Sequence, residues 1–305
     1  MTAGLLLAGL TIAFPKAGQK LPCLERCYMI GATTGGETNL VIQGRDVPVY
    51  RTGAWVTMLD CVEGSNVVNV AGSNHWFHVA RKPSKPTSPV AATNRPAKVW
   101  KKLEYAADTP KPHPSTRVPP ARPDELCVVI DAGHGGEDTG AVSPHAFPEK
   151  DANLLMARAV RAELEKKGFR VIMTRDDDTF VKLYDRPRAA HTNDAVAFVS
   201  IHHNAPPHDK DPRKFRYHAV YAWNEIGERL AKAVNQRMAA AFGTTLVNNG
   251  VPHANFAVTR NPEIPSCLIE VDFITTPEGE ADCWDPTRRE KVAYAIAEGI
   301  ADWCK

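Results

Sequence analysis

Ten of the chain's 24 prolines fall between residues 81 and 123, in a stretch otherwise rich in Lys, Ser and Thr. Proline removes an amide donor and fixes φ, so such a stretch lies extended over surfaces and cannot form the interior of a sheet or helix. It reads as a linker, with Val99–Ala107 as a docked helical turn within it. The 305 residues are thereby divided into a shorter module before residue 81 and a longer one from 124 to 305, each able to bury a core of its own. A charged fraction of 24% and a net charge of +2 exclude a disordered chain and a protein that coats nucleic acid. No apolar run reaches the roughly 18–20 residues that span a bilayer.

The first 14 residues, MTAGLLLAGLTIAF, hold an apolar stretch from Leu5 to Phe14. Its length suits the core of an export signal, truncated here because no Lys or Arg precedes it; it also suits the first strand of a folded module. From 15 to 80, short β-rich runs alternate with turn residues: Tyr28–Ala32, Asn39–Gln43, Val47–Tyr50, Trp55–Leu59, Asn66–Val70 and Trp76–Val79. This spacing predicts a small all-β sandwich, in which His75 and His78 are structural. The pattern resembles the immunoglobulin-like modules that bacterial extracellular enzymes carry. Seven cysteines cannot all pair, and they lack zinc-knuckle spacing. One disulfide among Cys23, Cys27 and Cys61, and another between Cys283 and Cys304, would fit an oxidising compartment, while Cys127 and Cys267 read as small buried hydrophobes.

From 126 onward strands alternate with helices. The expected strands are Leu126–Asp131, Phe169–Thr174, Ala195–Ile201, Tyr217–Trp223 and Cys267–Phe273. The expected helices are Asp151–Lys167, Tyr184–Thr192, Glu225–Phe242 and Arg288–Trp303. Such alternation predicts an α/β fold: a twisted, mostly parallel mixed sheet flanked by helices, preceded by the small sandwich.

Ligands of such sheets gather where strands end. The first strand of this module ends in Asp131-Ala132-Gly133-His134-Gly135-Gly136, where glycines let the chain turn and expose an imidazole. Glu149 opens the next helix, and a later strand ends in Ser200-Ile201-His202-His203-Asn204. Two strand-end histidines and a helix-start carboxylate can form a catalytic zinc set with an open position. On the last strand, Glu270 and Asp272 share a face by the period of two. They read as a general base beside the metal, or as partners of an arginine such as Arg175 or Arg260.

These residues resemble the zinc-dependent N-acetylmuramoyl-L-alanine amidases of the amidase-3 family over roughly residues 126–303. The likeness rests on DAGHGG at 131–136, Glu149-Lys150-Asp151, Thr174-Arg175-Asp176, Leu183–Arg186 with Ala190, SIHHN at 200–204 and the late carboxylate strand. It implies Zn²⁺ on His134, Glu149 and His202, with Glu270 as the catalytic glutamate. Asn204 and Arg260 are candidate substrate contacts. The implied partner is peptidoglycan, not nucleic acid, and the implied setting is the periplasm or the extracellular side of the cell envelope, with the chain acting as a monomer. Other readings are a zinc hydrolase of peptidoglycan stem peptides and a non-catalytic protein that binds the cell wall.

Two departures from the family pattern carry expectations. Asp272 would raise the proton affinity of Glu270 by like-charge repulsion. His203 replaces the family's alanine and, by alternation, faces away from His202. Finally, the loop 205–217 is too short and proline-rich to supply the inhibitory helix that some relatives insert, which leaves the site open, restrained by location or by the N-terminal module.

Overall fold

A computed structural model describes residues 9–82, 126–261 and 263–305. The expected linker and the turn at Val99–Ala107 lie outside the described residues, as does the start of the apolar stretch at Leu5.

The N-terminal module is an all-β sandwich of strands β1 (Thr11–Phe14), β2 (Lys20–Leu21), β3 (Arg26–Ala32), β4 (Asn39–Ile42), β5 (Arg45–Pro48), β6 (Ala54–Asp60), β7 (Gly64–Val70) and β8 (Ser73–Val79). One sheet has the order β1-β3-β6 and the other β2-β8-β7-β4-β5. In β7 and β8 apolar residues alternate with polar ones, so Val68, Val70, Phe77 and Val79 turn inward. They meet Tyr28, Ile30, Trp55 and Leu59 from the opposing sheet in one core. Ala13 and Phe14 belong to that core and β1 pairs with β3, so the sandwich takes in residues 11–14 and starts before residue 15. His75 is structural: its Nε2 lies 2.7 Å from the Pro15 carbonyl.

The cysteine expectations fare unequally. The Sγ atoms of Cys27 and Cys61 lie 3.3 Å apart, and both thiols are free. Pairing of Cys283 with Cys304 is ruled out by the closing helix, which starts at Pro286 and ends at Trp303 between them. Eighteen helical residues span about 27 Å, far beyond the reach of a disulfide.

The C-terminal module comprises β9 (Cys127–Ala132), α1 (Glu149–Lys166), β10 (Arg170–Met173), α2 (Asp185–Thr192), β11 (Ala197–Asn204), β12 (Tyr217–Ala222), α3 (Glu225–Phe242), β13 (Val247–Asn248), β14 (Ser266–Phe273), α4 (Pro277–Trp284) and α5 (Pro286–Trp303). The sheet order is β10-β9-β11-β14-β12-β13. The first four are mutually parallel, and β12 runs antiparallel to β14. All six residues of β9 are buried, as a central strand covered on both faces requires. Val128, Ile130 and Ala132 pack with α1, α3 and α5, while Cys127 and Val129 face the side that holds Ala190 of α2. The alternation of one strand thus feeds two cores.

Helix ends are fixed by local chemistry. Asn224 caps α3 by accepting the Gly227 N–H at 2.9 Å, and Asp285 caps α5 through Thr287 at 2.9 Å. No described helix is long and apolar enough to cross a membrane.

Candidate metal centre

The parallel register sets β9 and β11 side by side, with Ile201 opposite Ala132. Both strands therefore end at one edge, where Gly133–His134 leaves β9 and His202 lies two residues before the end of β11. Glu149 opens α1 at that same edge, where the helix N-terminus favours a carboxylate. The structure brings the ligand atoms of His134, Glu149 and His202 within 4.8 Å of one another. Both imidazoles face the same carboxylate oxygen: His202 Nδ1 lies 3.0 Å and His134 Nε2 3.3 Å from Glu149 Oε1. The two rings meet edge to face, centroids 4.8 Å apart.

Close approach here depends on two glycines. A Cβ on Gly133 would lie 2.2 Å from His202 Nε2, and one on Gly140 would lie 2.6 Å from both Glu149 Oε2 and His134 Cδ2. His134 itself sits at φ +60°, a left-handed conformation that a non-glycine residue keeps only where its surroundings enforce it.

The enforcing contacts run through the motif residues. Arg186 of α2 donates to the Ala132 and His134 carbonyls at 2.8 Å each and pairs with buried Asp131 at 2.9 Å. Asp131 also accepts from Ser200 Oγ and Thr174 Oγ1, at 2.6 Å each. Arg175 donates to the Ala132, Gly133 and Lys150 carbonyls. The motif fragments, scattered along the chain, are one hydrogen-bonded brace under the strand ends.

Asp138 was not singled out by sequence reasoning. Its Oδ2 lies 2.9 Å from His134 Nδ1, which orients the ring and leaves Nε2 for an ion. The signal was present as a carboxylate four residues after the histidine, yet in a loop that spacing has no fixed geometry. Asn153 is a second such residue: its Nδ2 donates to Glu149 Oε1 at 3.1 Å, and its Oδ1 lies 2.8 Å from His203 Nδ1. His203 is buried and stays outside the ligand group, as the alternation implied, although its backbone N–H donates to Glu149 Oε1 at 3.2 Å.

Electrostatics follow from these contacts. Burial pulls the His134 imidazolium down, but Glu149 and Asp138 outweigh it and lift the ring to about 9. Burial opposes ionisation of Glu149, and the two histidines more than compensate, holding it well below the usual carboxylate range. Burial lowers His203 to about 4, so it is neutral.

Glu270 lies opposite His202 in the β11–β14 register. Burial, with the Glu149 charge added, pushes its carboxyl well above the usual range. Its Oε2 is shielded from solvent and has no hydrogen-bond partner among the described residues. The neighbouring carboxylate that raises Glu270 is therefore Glu149, not Asp272. The register shifts between His202 and Asn204, so β14 advances three residues, Glu270 to Phe273, where β11 advances two. That bulge breaks the period of two and re-aims Asp272. Asp272 meets Arg216 at 3.2 Å and Arg288 at 3.4 Å, neither of which was among the expected arginines.

Asn204 turns back on its own loop, its Oδ1 accepting the Ala205 N–H at 2.8 Å. Arg260 lines a different cavity, with Tyr184, Arg188 and His191. The loop after β11 holds one turn of 3-10 helix, Pro212–Lys214.

The model of the family Amidase_3, N-acetylmuramoyl-L-alanine amidase, matches residues 128–302. The chain belongs to this family. AmiA of Escherichia coli (strain K12), an N-acetylmuramoyl-L-alanine amidase, is 30% identical over 221 residues, a match spanning 58% of this chain and 75% of that protein. Among solved structures, the amidase AmiC2 of Nostoc punctiforme superposes with a TM-score of 0.55 at 36% identity, covering 58% of this chain and 96% of that one. The catalytic domain of the amidase CwlV from Bacillus (Paenibacillus) polymyxa var. colistinus gives 0.55 at 34% identity, covering 58% and 97%. In this amidase the family match starts at Val128 and leaves the sandwich outside it.

The donor set fits a metal ion on grounds of its own. Two imidazole nitrogens and a carboxylate oxygen lie within 4.8 Å of one another, Asp138 fixes which nitrogen His134 presents, and Glu270, opposite His202 on the neighbouring strand, keeps a buried oxygen unpartnered among the described residues.

Proposed function

We propose that this amidase uses one zinc ion, held by His134, Glu149 and His202, to hydrolyse the amide between N-acetylmuramic acid and L-alanine in peptidoglycan. The setting is the cell envelope, in wall remodelling or daughter-cell separation. The observation that carries the reading is the convergence of three donor groups within 4.8 Å, beside the buried and unpartnered Glu270 Oε2.

Zinc bound there supplies Lewis-acid polarisation of the scissile carbonyl and acidifies water. Glu270 takes a proton from the attacking water and passes it to the departing amine, as the C–N bond breaks and a C–O bond forms. Asp138 and Asn153 keep His134 and Glu149 in their donor orientations, while Arg175 and Arg186 hold the backbone from which His134 projects. Asn204, at the end of β11, and Arg260, in a separate cavity, are proposed substrate contacts.

The test is digestion of purified peptidoglycan, with and without a chelator, followed by mass analysis of the new ends. Free L-alanine amines with intact lactyl groups, lost with chelator and restored by zinc, are expected. New ends within the stem peptide would mark a peptidase instead, and an unaltered digest would mark a protein that only binds the wall.

A further inference from the structure

The cleft over the metal ligands has a second flank that the family match leaves out. Its volume is about 860 Å³, and it is lined by His134, Gly140 and Glu149 on one side and by Lys16, Gln19 and Leu24 of the sandwich on the other. Clefts of this order enclose ligands of several connected chemical groups.

This flank is fastened in place. The Tyr28 N–H donates to the His208 carbonyl at 3.0 Å, so the loop after β11 is hydrogen-bonded to β3 beyond the residues that pair with β1. Phe14 and Tyr28 close on the His208 ring, with centroids 4.8 and 6.0 Å away. His145 bridges the modules, its Nδ1 2.7 Å from Glu280 Oε2 and its Nε2 3.0 Å from the Thr52 carbonyl. Val142, partly buried, packs against the sandwich core.

On the cleft side the flank mixes apolar Pro22 and Leu24 with Gln19 and a single cation, Lys16, and Asp209 of the loop after β11 lines the same cleft. Phe14 and Tyr28 are only 6% and 4% exposed, so neither offers a ring face to a sugar. Lys16, on the β1–β2 turn, is exposed and makes no ion pair among the described residues. Gln19 Oε1 accepts the Lys16 N–H at 2.7 Å and so fixes the turn at the cleft rim. The substrate of an amidase has two arms flanking the scissile bond: a glycan bearing hydroxyls and a peptide bearing free carboxylates. Only the peptide arm gives the Lys16 ammonium a charge-assisted partner.

Resting on the amidase reading, we infer that the β-sandwich forms the peptide-side flank of the substrate cleft, and that Lys16 is a specificity-determining residue binding a carboxylate of the peptide arm. The experiment uses the full chain and two soluble muramoyl peptides, one with free peptide carboxylates and one with those carboxylates amidated. For Lys16→Glu, KM for the free-carboxylate substrate rises about tenfold with kcat unchanged, the value of one charged hydrogen bond. Lys16→Arg restores the wild-type KM, and added salt raises KM for the wild type but not for Lys16→Ala. The amidated substrate shows the same KM with every variant. Equal KM values for wild type and Lys16→Glu on the free-carboxylate substrate, or an equal loss on both substrates, overturn the inference while leaving the amidase reading intact. Failure of the wild type to cleave either substrate overturns the amidase reading itself.

Discussion

Substituting Gly133 with Ala probes how the ligand geometry is enforced. Gly133 has no freedom to recede: its N–H donates to the Ile201 carbonyl at 3.1 Å, and its own carbonyl accepts from Arg175 Nη2 at 2.8 Å. An added methyl would lie 2.2 Å from His202 Nε2 and 2.3 Å from its Cε1. Non-bonded carbon and nitrogen atoms rest near ~3.5 Å, so the imidazole must retreat by about 1.3 Å. Metal–ligand bonds tolerate only about 0.2 Å. Zinc affinity should therefore fall about 10- to 100-fold, the range seen when ligand-orienting contacts are lost. Turnover at saturating zinc should fall about 10²-fold, because a misplacement near 1 Å carries that penalty. The assays are titration of the metal-free protein with zinc against a chromophoric chelator, and release of free amine from muramoyl peptides. Thermal melting confirms that the variant is folded. A folded Gly133→Ala protein with wild-type zinc affinity and turnover would refute the reasoning, because the contact would then be too soft to matter.

Three further outcomes are expected. Asp138→Asn weakens zinc binding about tenfold in the same titration by loosening His134; unaltered affinity would remove its orienting role. Glu270→Gln remains folded and zinc-loaded but loses about 10²–10⁴-fold in turnover, and full activity would deny it the proton-transfer role. His218 is fully buried beside Phe242 with neither ring nitrogen partnered among the described residues, and burial lowers it from 6.5 to about 4. The unfolded chain binds that proton first, so the native state loses about 3 kcal/mol as pH falls from 6.5 to about 4. Urea unfolding of His218→Leu should show a flatter pH dependence over that window, and identical slopes would contradict the assignment.

What was legible in the sequence was whatever local chemistry decides. Helix α3 begins and ends where its pattern places it, at Glu225 and Phe242, because Asn224 caps one end and Gly243 leaves the other at φ +57°. The strands of the parallel sheet stand out as continuous apolar runs because both faces are covered. His134, Glu149 and His202 stand out because each sits at the end of a strand or the start of a helix, and parallel register carries those ends to one edge. The rest depends on contacts remote along the chain. Thr11–Phe14 is apolar whether it crosses a membrane as a signal or pairs with β3, and only the partner strand distinguishes the two. The aim of Asp272 turns on a one-residue bulge that alternation does not record. Asp138 and Asn153 are ordinary polar residues until the fold sets them behind a ligand. No pattern in residues 15–80 reveals that the sandwich borders the cleft, because that follows from how two separately folded modules meet.

The most direct test of the central claim is anomalous diffraction at the zinc edge from crystals of the zinc-loaded protein. The account predicts a single strong peak bonded by His134, Glu149 and His202, with Glu270 facing it. A peak bonded by other residues, or no peak among these three at saturating zinc, would contradict it.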